Sequence, residues 1–102
     1  MVDKYKLFKF KIDKKNDIIE VGGGEGDLSK SLIELGYNVV LFIEPDISKY
    51  KKATRKIRYV ECLNKSIENI DLFKINSKSS NVTVIMQDVI EHIKIDSQKI
   101  FF

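Results

Sequence analysis

Apolar residues in this 102-residue chain gather in short blocks set apart by polar and glycine-rich stretches. Residues 17–22, 38–43, 58–63 and 82–87 are rich in Val, Ile, Leu and Phe and are bounded by polar or turn-forming residues, so each is predicted to be a strand. The amphipathic stretch from Leu28 to Leu35 predicts a helix over 26–36, with Gly36 as its C-terminal stop. A second helix is predicted over 46–56 and a last one over 88–95. Residues 66–74 read as a short helix or loop, and Ser77 to Asn81 as a polar turn. Strands alternating with helices argue for an α/β fold with a parallel sheet and right-handed crossovers.

The most telling block is Asp17-Ile18-Ile19-Glu20-Val21-Gly22-Gly23-Gly24-Glu25-Gly26-Asp27. A buried strand holding an acid stops at a cluster of glycines, and a helix follows at once. Strand, glycine-rich turn and helix, in that order, are how α/β folds build a cradle for a nucleotide-like ligand. Glycine accepts positive φ and lets a ligand approach without meeting a Cβ, and the helix start offers unpaired N–H groups. A ligand containing adenosine is therefore the expectation. Gly22, Gly24 and Gly26 are spaced G-x-G-x-G, not the G-x-G-x-x-G of dinucleotide-binding turns, and Asp27 would repel a pyrophosphate lying over the helix start. With Glu20 beside the loop, two acids around the glycines suit a ligand with a cationic part, unless one of them simply caps the helix.

A second clue follows one helix later, where Asn38-Val39-Val40-Leu41-Phe42-Ile43 ends in Glu44-Pro45-Asp46. In a nucleotide-binding βαβ unit, an acid at the tip of the second strand accepts hydrogen bonds from the ribose hydroxyls. Pro45 halts the strand and leaves the residue before it extended, which makes Glu44 the candidate. The plainer alternative has Asp46 capping the helix of residues 47–55 and Glu44 merely solvated.

Glu20-Val21-Gly22-Gly23-Gly24-Glu25-Gly26, followed by Glu44 after a helix and a strand, resembles the class I S-adenosylmethionine-dependent methyltransferases. Their first motif is an acid, an apolar residue and G-x-G-x-G, and their second is an acid closing the next strand. Tyr59-Val60-Glu61-Cys62-Leu63-Asn64-Lys65-Ser66-Ile67-Glu68 is similar to their third strand and the loop that covers adenine. Val82-Thr83-Val84-Ile85-Met86-Gln87-Asp88-Val89-Ile90-Glu91-His92 is similar to the fourth strand and the start of the following helix in small-molecule methyltransferases. The likeness spans residues 16–94.

The resemblance implies a Rossmann-like three-layer α/β/α sandwich, with a mostly parallel sheet of four or five strands in the order 3-2-1-4, and S-adenosylmethionine as cofactor. It implies that Gly22, Gly24 and Gly26, with Gly23 among them, shape the loop under the methionine part, with Glu20 near its amino group through water. Glu44 would take the ribose hydroxyls, and Pro45 or Asp46 would line the adenine. Ser66 and Ile67 would meet the adenine edge and face, although the family usually has Asp where Ser66 stands. Gln87 lies where the family presents backbone to the methionine amino group. No catalytic residue is assigned.

Enzymes of this type carry three further strands, which complete the sheet and supply most of the substrate pocket. Residues 1–102 are thus expected to form a single truncated domain, the cofactor half, with a partner or second copy completing the substrate site. Val82, Val84 and Met86 alternate with Thr83 and Ile85, so both faces of the fourth strand are apolar, as in a covered central strand. By family analogy this strand lies at a sheet edge, which invites pairing. Either Ile100-Phe101-Phe102 returns as an extra strand or two copies pair there, and a homodimer is the expectation.

With 43% apolar and 32% charged residues the composition is globular, and no run of 18 apolar residues suggests a membrane span. The lysine-studded N-terminal segment does not read as a signal peptide. Cys62, the one cysteine, has no internal disulfide partner and sits in an apolar run, so it reads as structural; with one Cys and one His, a zinc site is not expected. The cytoplasm is the expected location. A rival reading comes from charge: Lys4, Lys6, Lys9 and Lys11 alternate with Tyr5, Phe8, Phe10 and Ile12, and Lys49, Lys51, Lys52, Arg55, Lys56 and Arg58 crowd one helix. Basic clusters with aromatics grip phosphate backbones and stack bases, whereas the net charge is only +3 and most lysine faces are simply solvated.

His92 lies near the expected cofactor end of the fourth strand, where it could take a proton from a substrate, or with Glu91 fix the helix against the loop. Asp88 is equally readable as a helix cap. Three functional readings remain: a minimal methyltransferase, a non-catalytic cofactor-binding or nucleic-acid-binding module, and an adenosine-nucleotide-binding fragment akin to spermidine synthases, which also use a G-G-G-acid-G loop.

Overall fold

The computed structural model describes residues 13–66 and 68, residues 81–86, and the backbone of 89–94. Strand β1 (Asp17–Val21) is buried through its first four positions, which explains its nearly unbroken apolar run. It pairs in parallel with β2 (Asn38–Ile43) on one side and β4 (Asn81–Met86) on the other. A short β3 (Glu61–Leu63) continues the parallel sheet beyond β2, and β5 (Val89–Lys94) pairs antiparallel with β4. The sheet order is β3-β2-β1-β4-β5, so the four parallel strands run 3-2-1-4, the Rossmann-like α/β layout the sequence leads one to expect.

Two helices connect the first three strands, α1 (Asp27–Glu34) and α2 (Ile47–Lys56). In α1, Leu28 and Leu32 lie one turn apart and meet Ile18, Val39 and Ile85 of the sheet together with Tyr37. In α2, Ala53 and the following Ile57 lie on Phe42. Glu20 and Phe42 are register partners, so both helices cover the same sheet face. On the other face Ile19, Leu41, Ile43, Val82 and Val84 form a second buried cluster. The helix or loop expected over 66–74 lies outside the described residues, apart from Ser66 and Glu68.

The ends of both helices follow from local chemistry. Gly36 takes φ +93°; its N–H donates to Ile33 O at 3.0 Å and the Tyr37 N–H to Leu32 O at 3.0 Å. This is a Schellman stop, completed by the apolar contact of buried Tyr37 with Leu32. Asp46 caps α2, its carboxylate accepting from the Ser48 and Lys49 amides. The turn at 58–60 shortens the strand expected over 58–63, because Ile57 and Val60 pack onto Phe42 before the chain can join the sheet. One irregularity lies inside the sheet: the partners Ile18↔Val39 and Ile19↔Leu41 skip Val40, a bulge in β2.

The helix expected over 88–95 is instead strand β5. Val89, Ile90 and Ile93 are β-branched, and the two residues between Met86 and Val89 can only return the chain antiparallel, where it meets the unpaired edge of β4. That edge was the reason to expect pairing in trans. It is filled within the chain, and among the described residues β3 and β5 are the outer strands. The alternative strand at Ile100–Phe102 lies outside the described residues. Among the described residues no helix is long and apolar enough to cross a membrane.

The packing phase of α1 is directly testable. Leu32 is fully buried and Ile33 is 40% exposed. Leu32→Ala is expected to destabilise the fold by about 2–5 kcal/mol, and Ile33→Ala by no more than about 0.5 kcal/mol, as measured by urea unfolding.

Candidate functional site

The loop from Gly22 to Gly26 leaves the carboxyl end of β1, with β2 and β3 to one side and β4 to the other. The direction of chain progression therefore reverses at β1, and open α/β sheets bind ligands outside the carboxyl ends of their strands at such a point.

The loop amides are directed inward. Those of Gly22 and Gly23 donate to Ile43 O at 2.8 and 3.3 Å, Gly24 N–H donates to Glu44 Oε1 at 2.8 Å, and Gly26 N–H donates to Gly23 O at 3.2 Å. A phosphate-binding nest needs converging free amides; here the amides of all four glycines are engaged by the protein. Glu44 Oε2 accepts from the Asp46 N–H at 2.7 Å, and the Glu44 N–H continues the ladder to Leu63 O at 3.0 Å. Asn64 clamps the same turn, its Nδ2 donating to Glu44 O at 2.9 Å and Pro45 O at 3.0 Å. Glu44 is only 5% exposed, so it is neither solvated nor idle.

Three of the glycines answer different demands. A Cβ on Gly23 would lie 2.1 Å from the ring of Phe42, which is itself fully buried. At Gly24, with φ +63°, a Cβ would meet nothing within 4 Å, so the space above the loop is open. Gly26, with φ +87°, sets the start of α1 against Ala53 of α2, where a Cβ would come within 3.1 Å of the alanine Cβ.

The acids around the loop have separate partners. Glu20 is buried and its Oε1 accepts from the Ser29 hydroxyl of α1. Asp27 Oδ1 takes Lys56 Nζ at 2.7 Å, while Glu25 lies 3.9 Å from Lys52 and 4.0 Å from Lys56. The hydrogen bond that Lys56 donates to Asp27 raises the Lys56 pKa above its ordinary value. Charge at the start of α1 is thus matched by cations of α2, and Glu44 is the acid at the open edge.

The remaining expected residues are placed as follows. Pro45 and Asp46 are exposed beside Glu44, with Asp46 also serving as helix cap. Ser66 Oγ accepts from the Glu68 N–H at 3.3 Å. Ile67, Gln87 and Asp88 lie outside the described residues, and of Glu91 and His92 only the backbone is described. Cys62 is half-buried; burial, and then the charge of Glu61, push its thiol pKa up, so it stays a thiol at neutral pH. Sequence reading passed over Ser29, Phe42, Ala53 and Asn64. Only Ala53 gave a signal, as the one small apolar residue among the long side chains of 47–56.

Gly23→Ala is expected to destabilise the protein by about 1–3 kcal/mol through overpacking, and Gly24→Ala by about 1–2 kcal/mol through backbone strain alone. Adding Phe42→Leu relieves the first and leaves the second unchanged, which a urea double-mutant cycle resolves. A pH dependence follows from Lys56. Its folded pKa is raised, so its stabilisation is complete below the ordinary lysine value of 10.5 and is lost as pH rises through the higher folded value. The difference between wild-type and Lys56→Gln unfolding curves should therefore be constant at neutral pH and shrink above that value.

A comparison with protein-family models finds no match, and no curated protein matches the chain.

Proposed function

We propose that this chain binds S-adenosylmethionine at the carboxyl edge of β1 and β2, as a methyltransferase-like protein of the cytoplasm whose substrate site is completed by a second copy or a partner. The observation that carries this reading is the Glu44 carboxylate standing beside a glycine loop whose amides are already engaged. A diphosphate needs donors and is repelled by a carboxylate. An adenosine ribose offers hydroxyl donors, and the methionine part carries a sulfonium and an ammonium, so the acceptor-rich edge favours that ligand.

The residues fit the group. A carboxylate has roughly four lone-pair sites; Glu44 has accepted two hydrogen bonds, from Gly24 and Asp46. Gly22, Gly24 and Gly26 pass beneath the methionine part, with the open space over Gly24 as its seat. Pro45 and Asp46 flank the adenine. Asn64 acts as a positioning residue, fixing the backbone on either side of the Glu44–Pro45 peptide. When bound, the cofactor supplies an electrophilic methyl carbon on sulfur. The chain supplies orientation, which in such transfers carries much of the rate.

The same two backbone bonds to Glu44 also suit a plain brace of the turn, and this favours the interaction-module form of the alternative, in which the Rossmann-like fold is kept without the cofactor site. Calorimetric titration with S-adenosylmethionine, S-adenosylhomocysteine and NAD separates the two. Micromolar binding of both sulfur ligands, none of NAD, and a loss of about tenfold or more in Glu44→Ala are expected. Equal binding of NAD would sink the assignment, and no binding at all would leave Glu44 as a brace.

A further inference from the structure

A cleft of about 420 Å³ lies between α1, at Lys30, Ile33 and Glu34, and the end of α2 with its following turn, residues 55–60. It shares no residue with the glycine loop or Glu44. Its volume falls in the ordinary range for small-ligand clefts. Ile33, Ile57 and Val60 line it with apolar surface, and Lys30, Arg55, Lys56, Arg58 and Tyr59 add four cations and a ring against the single carboxylate of Glu34.

The charge of this region exceeds what folding asks for. From Ile47 to Val60 the chain holds six cations and no acid, although the whole chain carries only +3, so the rest of it is net acidic. Like charges fall on neighbouring helical positions, Lys51 with Arg55, Lys52 with Arg55 and Lys52 with Lys56, which opposes the helix. The helix dipole rewards cations only in the last turn. Lys52 and Lys56 are matched by Glu25 and Asp27. Among the described residues, Lys30, Arg55 and Arg58 form no ion pair. Tyr59 presents its side chain fully to solvent at the turn into β3, where the sheet makes no use of it.

We propose that this cleft binds single-stranded nucleic acid, with one base stacked on Tyr59 over the apolar lining and the flanking phosphates on Lys30, Arg55 and Arg58. Exposed aromatic rings and unpaired cations are the pair of features that hold single strands without regard to sequence. An acidic peptide would satisfy the cations but gives no reason for a bare ring. The site is independent of the proposed cofactor edge.

The test is fluorescence anisotropy with a labelled oligothymidylate of about 12 nucleotides, with polyglutamate of matched charge as competitor. Binding that weakens with salt and resists polyglutamate is expected. Tyr59→Ala should lower affinity about 5- to 150-fold, Tyr59→Phe should retain it, and Arg55→Glu with Arg58→Glu should abolish it. Glu44→Ala should leave it unchanged. All these cleft positions are exposed, and thermal melts verify that each variant is folded. No binding, equal displacement by polyglutamate (the mark of a general anion surface or an acidic-peptide site), or a Tyr59→Ala affinity equal to wild type would overturn the proposal.

Discussion

Three successive amides, those of Gly22, Gly23 and Gly24, end on Ile43 and Glu44 at the tip of β2. This junction extends the β1–β2 pairing past the end of both strands and fixes where the chain can enter α1. It works only because Gly23 has no side chain and can lie against the Phe42 ring. The same ring supports Ala53 and Ile57, so the seat of α2 and the course of the loop depend on one buried side chain. Leu63 and Asn64 carry the cross-links on to β3, and the carboxyl edge of three neighbouring strands becomes a single hydrogen-bonded rim.

Charge is divided in a way that assigns different tasks to the two ends of the helical layer. Acids gather where β1 and β2 end, and each has a distinct partner: Ser29 for Glu20, lysines of α2 for Glu25 and Asp27, and backbone amides for Glu44. Among the described residues, cations without such partners, Arg55 and Arg58, lie where α2 gives way to β3. A ligand that donates hydrogen bonds and carries positive charge suits the first region. A polyanion suits the second. Lys56 touches both, facing Asp27 while lining the basic cleft.

What could be read from the sequence was whatever short-range chemistry decides. Gly36 as a helix stop, Asp46 as a helix cap and the apolar blocks of the parallel strands each depend on residues a few positions apart. Glu44 was half legible: its position at the strand tip follows from the pattern, but its partner Gly24 lies on another element. The contact of Gly23 with Phe42 and the clamp by Asn64 join residues remote in sequence, and nothing local announces them. The bulge at Val40 was hidden because adjacent valines look alike in either register. Strand β5 misled for a different reason. Val89, Ile90 and Ile93 fit a helical face as well as a strand over so short a run, and the Gln87-Asp88 link lacks the glycine or asparagine that usually marks a tight hairpin.

The β4–β5 pairing also bears on how the chain reaches its native state. β4 finds β1 only by closing a long loop, since Asp17 pairs with Val82, and non-local parallel pairing of this kind forms slowly. A hairpin closes on the order of 1–10 μs. β5 can therefore occupy one side of β4 well before β1 arrives on the other. During that interval a strand apolar on both faces shows one bare edge to neighbouring chains, not two. The last described strand thus acts as an escort for its neighbour, lowering the risk of aggregation while the sheet is still incomplete.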